Sequence, residues 1–284
     1  MSRRTIAIAA ALSVFALGSS FITANANPLA NQYFNQAVEK SERGNYQGAI
    51  IDYTKSLEIN PRSAIAYYNR GNSKGKLEDY QGAIADYTKS LGFDSQNANA
   101  YNNRGLAKFN LKDYQGAISD FNKAIEIFPR FWTVYDSRGA AKGALGDHQG
   151  AISDFNKGIE INPSNANAYY NSGNAKFNLK DYQGAISDYT RAIEINPKYA
   201  YAFNNRANVK YELSDYEGAI SDFNKVLAID PNFASAYLHR GAAKLKLNDN
   251  TGSCADYKKA VFFGNQLTME WLNSEKGAWC RNMR

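Results

Sequence analysis

Glycine recurs along this chain at a fixed interval: Gly48, Gly82, Gly116, Gly150, Gly184, Gly218 and Gly252 are each separated by 34 residues. Each lies in one short phrase, written DYQGAI at 79–84, 113–118 and 181–186, NYQGAI at 45–50, DHQGAI at 147–152, DYEGAI at 215–220 and DNTGSC at 249–254. A proline row keeps step at Pro61, Pro129, Pro163, Pro197 and Pro231, with Ser95 and Asn265 in the second and seventh places. So strict a period belongs to repeat arrays, in which each unit is one supersecondary element and its neighbours complete its core.

The unit 64–97 divides into two helices. In the first, Tyr67, Gly71, Lys74 and Leu77 or Glu78 recur at helical spacing, with Tyr68 beside them. Asp79 is placed to cap the second, whose buried stripe is Ala83, Tyr87 and Leu91. Proline after the second helix, as at Pro61, stops it and turns the chain. Small Gly71 and Ala83 let the two helices approach closely. Neither helix buries its stripe alone, so the units must stack.

An aromatic at Tyr67, a glycine at Gly71, Asp79-Tyr80, then Ala83, Tyr87 and a closing proline in most copies together resemble the tetratricopeptide repeat. The resemblance covers residues 30–267 and implies an all-α fold, a right-handed α-solenoid of seven 34-residue helix-turn-helix units. Those units are 30–63, 64–97, 98–131, 132–165, 166–199, 200–233 and 234–267, followed by a C-terminal capping segment at 265–284. Residues 265–276 read as a capping helix, with Met269 and Leu272 covering the last unit and Trp271 and Trp279 nearby. The first unit has Gln36-Ala37 where later ones have Arg-Gly, as an N-terminal cap does. The fourth, with Gly143, His148 and Gly158, reads as the loosest. Copies such as YNRGNSK (68–74) and LKDYQGAISDY (179–189) resemble repeats common in cyanobacterial proteins.

Residues 1–26 carry Arg3 and Arg4, an apolar run, then Ala24-Asn25-Ala26, the layout of a secretory signal peptide with an A-x-A cleavage site. Ser2-Arg3-Arg4 also begins a twin-arginine signal, but the rest of that motif is missing, so ordinary export is expected. The alternative is an uncleaved membrane anchor, because Ile6 to Ala24 is nearly long enough to cross a bilayer. No later stretch is. Export leads to the periplasm or, if the cyanobacterial resemblance holds, the thylakoid lumen. The formal charge of +6, from 33 basic and 27 acidic residues, has no single-sign tail, so no nucleic-acid partner is expected.

Two charge rows are complete: Lys40, Lys74, Lys108, Lys142, Lys176, Lys210 and Lys244 on first helices, and Asp52, Asp86, Asp120, Asp154, Asp188, Asp222 and Asp256 on second helices. An Arg row at Arg70, Arg104, Arg138, Arg206 and Arg240 is broken by Ser172. Helical spacing puts these charges on the inner stripes, where unpaired charge is costly. Matched rows of opposite sign therefore predict a structural ion-pair ladder, including Arg70, Lys74, Asp86, Arg104, Lys108, Asp120, Lys176 and Asp188. A basic track for phosphate or acidic peptide is the alternative.

The first helices of tetratricopeptide proteins line a concave groove for an extended peptide or a helix, so the resemblance implies a protein or peptide partner. The matching residues here are Phe34, Asn35, Tyr68, Asn69, Asn103, Phe109, Tyr170, Asn171, Phe177, Tyr201, Asn205 and Tyr211. Their amides suit an extended backbone and their rings supply apolar contact. Alternatively the amides satisfy neighbouring turns and the rings only bridge units. Family members that hold a chaperone's terminal carboxylate use Lys and Arg, but Phe34, Asn99, Asn102 and Thr133 stand in those places, so that partner is not expected.

Cys254 and Cys280 are the chain's two cysteines. In an oxidising compartment they are expected to form a disulfide that staples the cap, a free redox pair being the alternative. His148 and His239 are too few for a His-rich metal cluster and speak against a Ser-His or Cys-His site. GNSKGK (71–76) is a residue short of a phosphate loop and lacks its final Ser or Thr. Neither cofactor, metal nor catalysis is expected. The reading is an exported scaffold, an assembly or interaction factor; the alternative is an envelope- or membrane-associated structural protein.

Overall fold

A computed structural model of the chain describes residues 27–282, and the expected signal peptide at 1–26 lies outside them. Every regular element of the described residues is a helix, and the chain divides into two compact units after Ile161. In the first unit α1 (Pro28–Glu42) packs on α2 (Tyr46–Ile59), α3 (Ala64–Lys76) on α4 (Tyr80–Phe93), α5 (Ala98–Asn110) on α6 (Tyr114–Ile127), and α7 (Trp132–Ala144) on α8 (His148–Ile161). In the second, α9 (Ala166–Asn178) packs on α10 (Tyr182–Ile195), α11 (Ala200–Glu212) on α12 (Tyr216–Ile229), and α13 (Ala234–Lys246) on α14 (Asn250–Phe262). Within each unit every pair also packs against the next, which makes a stack of helix hairpins.

The recurring glycine is explained at the start of each second helix. The Asp79 carboxylate accepts the backbone N–H of Gly82 at 2.9 Å, and Asn45, Asp113, Asp147, Asp181, Asp215 and Asp249 do the same three residues before their own glycine. A Cβ on Gly82 would collide with that carboxylate. The glycine thus clears room for the cap, and each cap contributes about 1 kcal/mol.

Ahead of the cap the chain reverses through a left-handed residue, Gly44 (φ 78°) and Gly146 (φ 86°) in two repeats and Glu78 (φ 61°) or Lys112 (φ 64°) in others. Helix α3 therefore ends at Lys76. Leu77 caps it and is 45% exposed, so neither Leu77 nor Glu78 extends its inner stripe. Inside the hairpin Ala83, Tyr87 and Leu91 are buried as their spacing predicts. A Cβ on Gly71 would lie 2.8 Å from the Tyr87 ring, so the crossing depends on its absence. The fourth repeat is not slack at Gly158, where a Cβ would stand 2.6 Å from Asp136 Oδ1.

Six of the seven second helices bury one aspartate against the partner helix, and the fifth repeat's Asp188 is partly buried in the same place. Arg70 forks onto Asp86, Nε to Oδ2 at 2.8 Å and Nη2 to Oδ1 at 2.7 Å, while Lys74 Nζ lies 2.8 Å from Oδ2. Arg104 and Lys108 treat Asp120 alike, as do Arg138 and Lys142 with Asp154, Arg206 and Lys210 with Asp222, and Arg240 and Lys244 with Asp256. The remaining guanidinium nitrogen reaches the preceding repeat, Arg70 Nη1 donating to Thr54 Oγ1 at 3.0 Å and Arg206 Nη1 to Thr190 Oγ1 at 2.9 Å. One arginine thereby ties three helices. The first and fifth repeats have only a lysine: Lys40 lies 2.5 Å from Asp52, and Lys176 lies 2.7 Å from Asp188.

The C-terminal cap is shorter than the spacing suggests: α15 (Gln266–Asn273) gives way to a 3₁₀ turn, Glu275–Gly277, and then α16 (Ala278–Arg281). Met269 points outward at 42% exposure; Thr268, Trp271 and Cys280 face the last repeat instead, with the Trp271 and Tyr257 rings 4.9 Å apart. Cys254 and Cys280 are brought together with Cα atoms 5.2 Å apart, the placement of a disulfide.

Removing a buried carboxylate strands two cations, so Asp120→Ala is expected to lower the unfolding free energy by about 3 kcal/mol. Lys112→Ala, at an exposed turn, is expected to change it by less than about 0.5 kcal/mol. Urea unfolding followed by circular dichroism compares them, and equal small effects would refute a structural role for the carboxylate row.

Candidate partner-binding face

The first helices carry a polar row, and its hydrogen bonds run from repeat to repeat. In the first unit the Tyr87 hydroxyl donates to Asn72 Oδ1 at 2.8 Å. Asn103 Nδ2, one repeat on, donates to the same Asn72 Oδ1 at 2.9 Å and to the Tyr68 hydroxyl at 3.2 Å. Asn102 Nδ2 then donates to Asn103 Oδ1 at 3.0 Å. The second unit repeats the device: Tyr189 to Asn174 at 2.8 Å, Asn205 to Asn174 at 2.7 Å and to Tyr170 at 3.1 Å, and Asn204 to Asn205 at 3.2 Å. Burial raises the pKa of the Tyr68 and Tyr87 hydroxyls above the ordinary tyrosine range, against the pull of the neighbouring amides, so both stay neutral and hydrogen-bonding.

The amides of Asn103 and Asn205 are therefore committed to joining repeats and are not free for a partner's backbone. Asn69 lies against the Tyr53 hydroxyl in the same way. Asn35 is exposed, and Asn171 is half-buried. The aromatic candidates divide similarly. Phe109 meets Tyr114 at 5.1 Å, Phe177 meets Tyr182 at 5.8 Å and Tyr211 meets Tyr216 at 5.3 Å, each closing its hairpin near the turn. Phe34 packs on Tyr53 at 5.6 Å. Tyr68 and Tyr170 sit 6.0 Å from Tyr87 and Tyr189. Tyr201 alone of these rings is largely open, 56% exposed with one edge on Phe233.

Three residues of this face escape a reading by rows. Asn72 and Asn174 occupy one place of the repeat, but Leu106 and Ala140 hold that place elsewhere and break the row. Ile65, 52% exposed, stands at the place Tyr201 holds in the sixth repeat. Among the described residues, no three His, Cys, Asp or Glu side chains gather where they could hold a metal ion. GNSKGK lies within α3 and forms no phosphate loop.

Family models described as Tetratricopeptide repeat match residues 64–97, 98–131, 166–199 and 188–221, and one described as TPR repeat matches 41–78, 143–180 and 207–248. The chain belongs to the tetratricopeptide repeat family. Among solved structures it is similar to MamA, with 26% identity over 61% of this chain and 94% of MamA and a TM-score of 0.57. It is likewise similar to YrrB, described as a TPR protein with an unusual peptide-binding site, at 26% identity over 65% of this chain and 95% of YrrB, TM-score 0.56. A tetratricopeptide repeat protein from Parabacteroides merdae shares the fold, with 20% identity over 90% of this chain and 100% of its own, TM-score 0.66. None of the curated proteins matches the chain.

Asn205→Ala removes one amide that three neighbours share and is expected to cost about 2 kcal/mol. Asn35→Ala should leave stability within about 0.5 kcal/mol. Thermal melts of the two variants separate these roles: a loss confined to Asn35→Ala would mean that the inter-repeat amides hold nothing together.

Proposed function

We propose that this tetratricopeptide protein is an exported scaffold that binds a protein or peptide partner on its first-helix face and acts in assembly or interaction. The observation that carries the reading is made in each unit separately: one exposed apolar side chain at the same place of the repeat, Ile65 in the first and Tyr201 in the second, 52% and 56% open, on first helices that a polar network of that unit ties together. A face whose Asn72, Asn103, Asn174 and Asn205 amides are tied between repeats loses little conformational freedom when a partner lands on it. Contact then falls to its open side chains, apolar ones and Asn35. The similarity to YrrB, whose description includes a peptide-binding site, supports the same reading. Binding is assigned, and no catalytic step. The alternative, retention at a membrane, rests on residues 1–26 alone; no helix of the described residues is long and apolar enough to cross a bilayer.

Cross-linking in the native cells followed by affinity capture tests the face. Ile65→Asp/Tyr201→Asp is expected to lose a partner that the parent chain retains; equal capture by both moves binding elsewhere. Tyr68 and Tyr170 are poor choices for this variant, because their hydroxyls join repeats. The N-terminus of the captured protein separates export from anchoring: one near Asn27 marks cleavage, and one retaining Ile6 marks the anchor.

Export also places Cys254 and Cys280 in an oxidising space, where the pair closes a loop across a sequence separation of 26 residues. Such closure contributes about 3 kcal/mol. Alkylation of unreduced protein from that space should leave both thiols unlabelled, and ready labelling of both would exclude the staple.

A further inference from the structure

The arginine row fails at Ser172, and the structure retains the partners of the missing side chain. In every repeat that has the arginine, its guanidinium meets the aspartate of the second helix and the aromatic ring one turn earlier on the first, besides the threonine or asparagine of the preceding repeat. Arg70 lies over Tyr67 with its guanidinium carbon 5.4 Å from the ring centroid, and Arg104, Arg138, Arg206 and Arg240 lie over Tyr101, Tyr135, Phe203 and Tyr237 at 5.4 or 5.5 Å. The corresponding pair in the fifth repeat is Tyr169 and Asp188. Both line an open cleft of about 380 Å³ within the second unit, together with Ser187, Thr190, Arg191 and Glu194.

The aspartate records the loss. Asp86, Asp120, Asp154, Asp222 and Asp256, each under an arginine, have side chains 4 or 5% exposed, but Asp188 is 13% exposed. Lys176 Nζ already holds the buried Asp188 Oδ2 at 2.7 Å, and the buried Ser172 Oγ, which replaces the arginine, has no hydrogen bond. Two cations face each of the five other carboxylates; one faces this one. Arg191 does not make up the difference, because it pairs with Glu194 at 2.8 Å and with the Tyr169 hydroxyl, and both charged side chains are more than half exposed. The first repeat also lacks the arginine, having Gln36, but there Lys55 Nζ covers the Tyr33 ring at 5.2 Å and the Asp52 side chain is 4% exposed. Of the seven aspartates of the row, Asp188 has the most exposed side chain, and it shares its cleft with the Tyr169 ring.

We propose that this cleft binds a guanidinium group supplied from outside the chain, stacked on Tyr169 and forked onto Asp188 as the resident arginines are in five other repeats. A planar guanidinium matches both elements at once, a bidentate carboxylate and a ring face, whereas an ammonium, though attracted to a ring face as Lys55 is to Tyr33, is a point charge that makes no bidentate fork. The source is an arginine side chain of a partner protein or a free guanidinium compound. The site is independent of the first-helix partner face and goes beyond it.

The test uses the full exported chain, 15N-labelled, titrated with methylguanidine and with N-acetyl-arginine amide, and with N-acetyl-lysine amide as control. Saturable shifts at the Ser187 and Asp188 amides are expected, with a Kd of order 1 mM for so small a group and at least about tenfold weaker binding of the lysine amide. Ser172→Arg fills the cleft from within and is expected to abolish the shifts while preserving the helical spectrum. Asp188→Asn, which keeps the side chain's shape, is expected to weaken them at least about tenfold. An Arg-containing pentapeptide that binds more than about tenfold tighter than the arginine amide identifies a protein side chain as the source; equal affinity identifies a free guanidinium compound. The absence of saturable shifts, or their survival in both variants, overturns the proposal. Ile65→Asp/Tyr201→Asp should titrate like the parent, so failure of the partner face and failure of the cleft are read separately.

Discussion

A carboxylate buried between two helices has to be neutralised where it stands, and that requirement sets the spacing of this chain's helices. The aspartate of each second helix is 3% exposed in six of the seven repeats, so its charge is stable only beside fixed cations. Arginine meets the need with a rigid fork. The same guanidinium that grips the aspartate 16 residues ahead also donates to the threonine or asparagine 16 residues behind, in the preceding repeat. A hydrophobic seam tolerates sliding; a fork with a partner on either side does not. The glycine beneath the Tyr87 ring and the glycine beneath the Asp79 cap serve the same close approach, one at the crossing and one at the helix start.

Much of this was legible in the sequence because it depends on position alone. The 34-residue interval fixes the unit, the Asp and Gly of DYQGAI fix where each second helix begins, and rows of opposite charge on inner stripes call for pairing. The polar face was not legible in the same way. A row of asparagines reveals hydrogen-bonding capacity but not how that capacity is spent, which depends on side-chain direction. Asn103 is used up by Asn72 and Tyr68, and the row that holds Asn72 gives no periodic signal because it contains Leu106 and Ala140. The cap itself was legible, but which of its faces turns inward was not. Beyond the seventh repeat no period constrains the chain, and helical spacing alone does not distinguish a stripe through Met269 from the one through Thr268 and Trp271 that packs.

Repetition also decides where specificity can reside. Seven copies of one hairpin give a partner seven equivalent places, and equivalent places cannot set a register. Register must come from departures. Along the first-helix face the departures are the Ile65 and Tyr201 side chains at a place where other repeats hold Asn99, Thr133, Asn167 and Ser235. Across the hairpins the departure is Ser172.

These two departures differ in kind. Ile65 and Tyr201 add apolar area to a face that polar networks already hold, so they change what that face can bury. Ser172 subtracts a charge from a place that the rest of the chain fills, and a subtraction inside a preorganised site is more informative than an addition outside one. The aromatic ring, the carboxylate and the lysine at Ser172 are positioned by the same packing that positions them in neighbouring repeats, so the cleft has the shape of the group that is missing. A surface patch selects a partner by area, with many acceptable fits. A vacancy left in a repeating lattice selects by geometry, and here that geometry was fixed by the chain's own arginines.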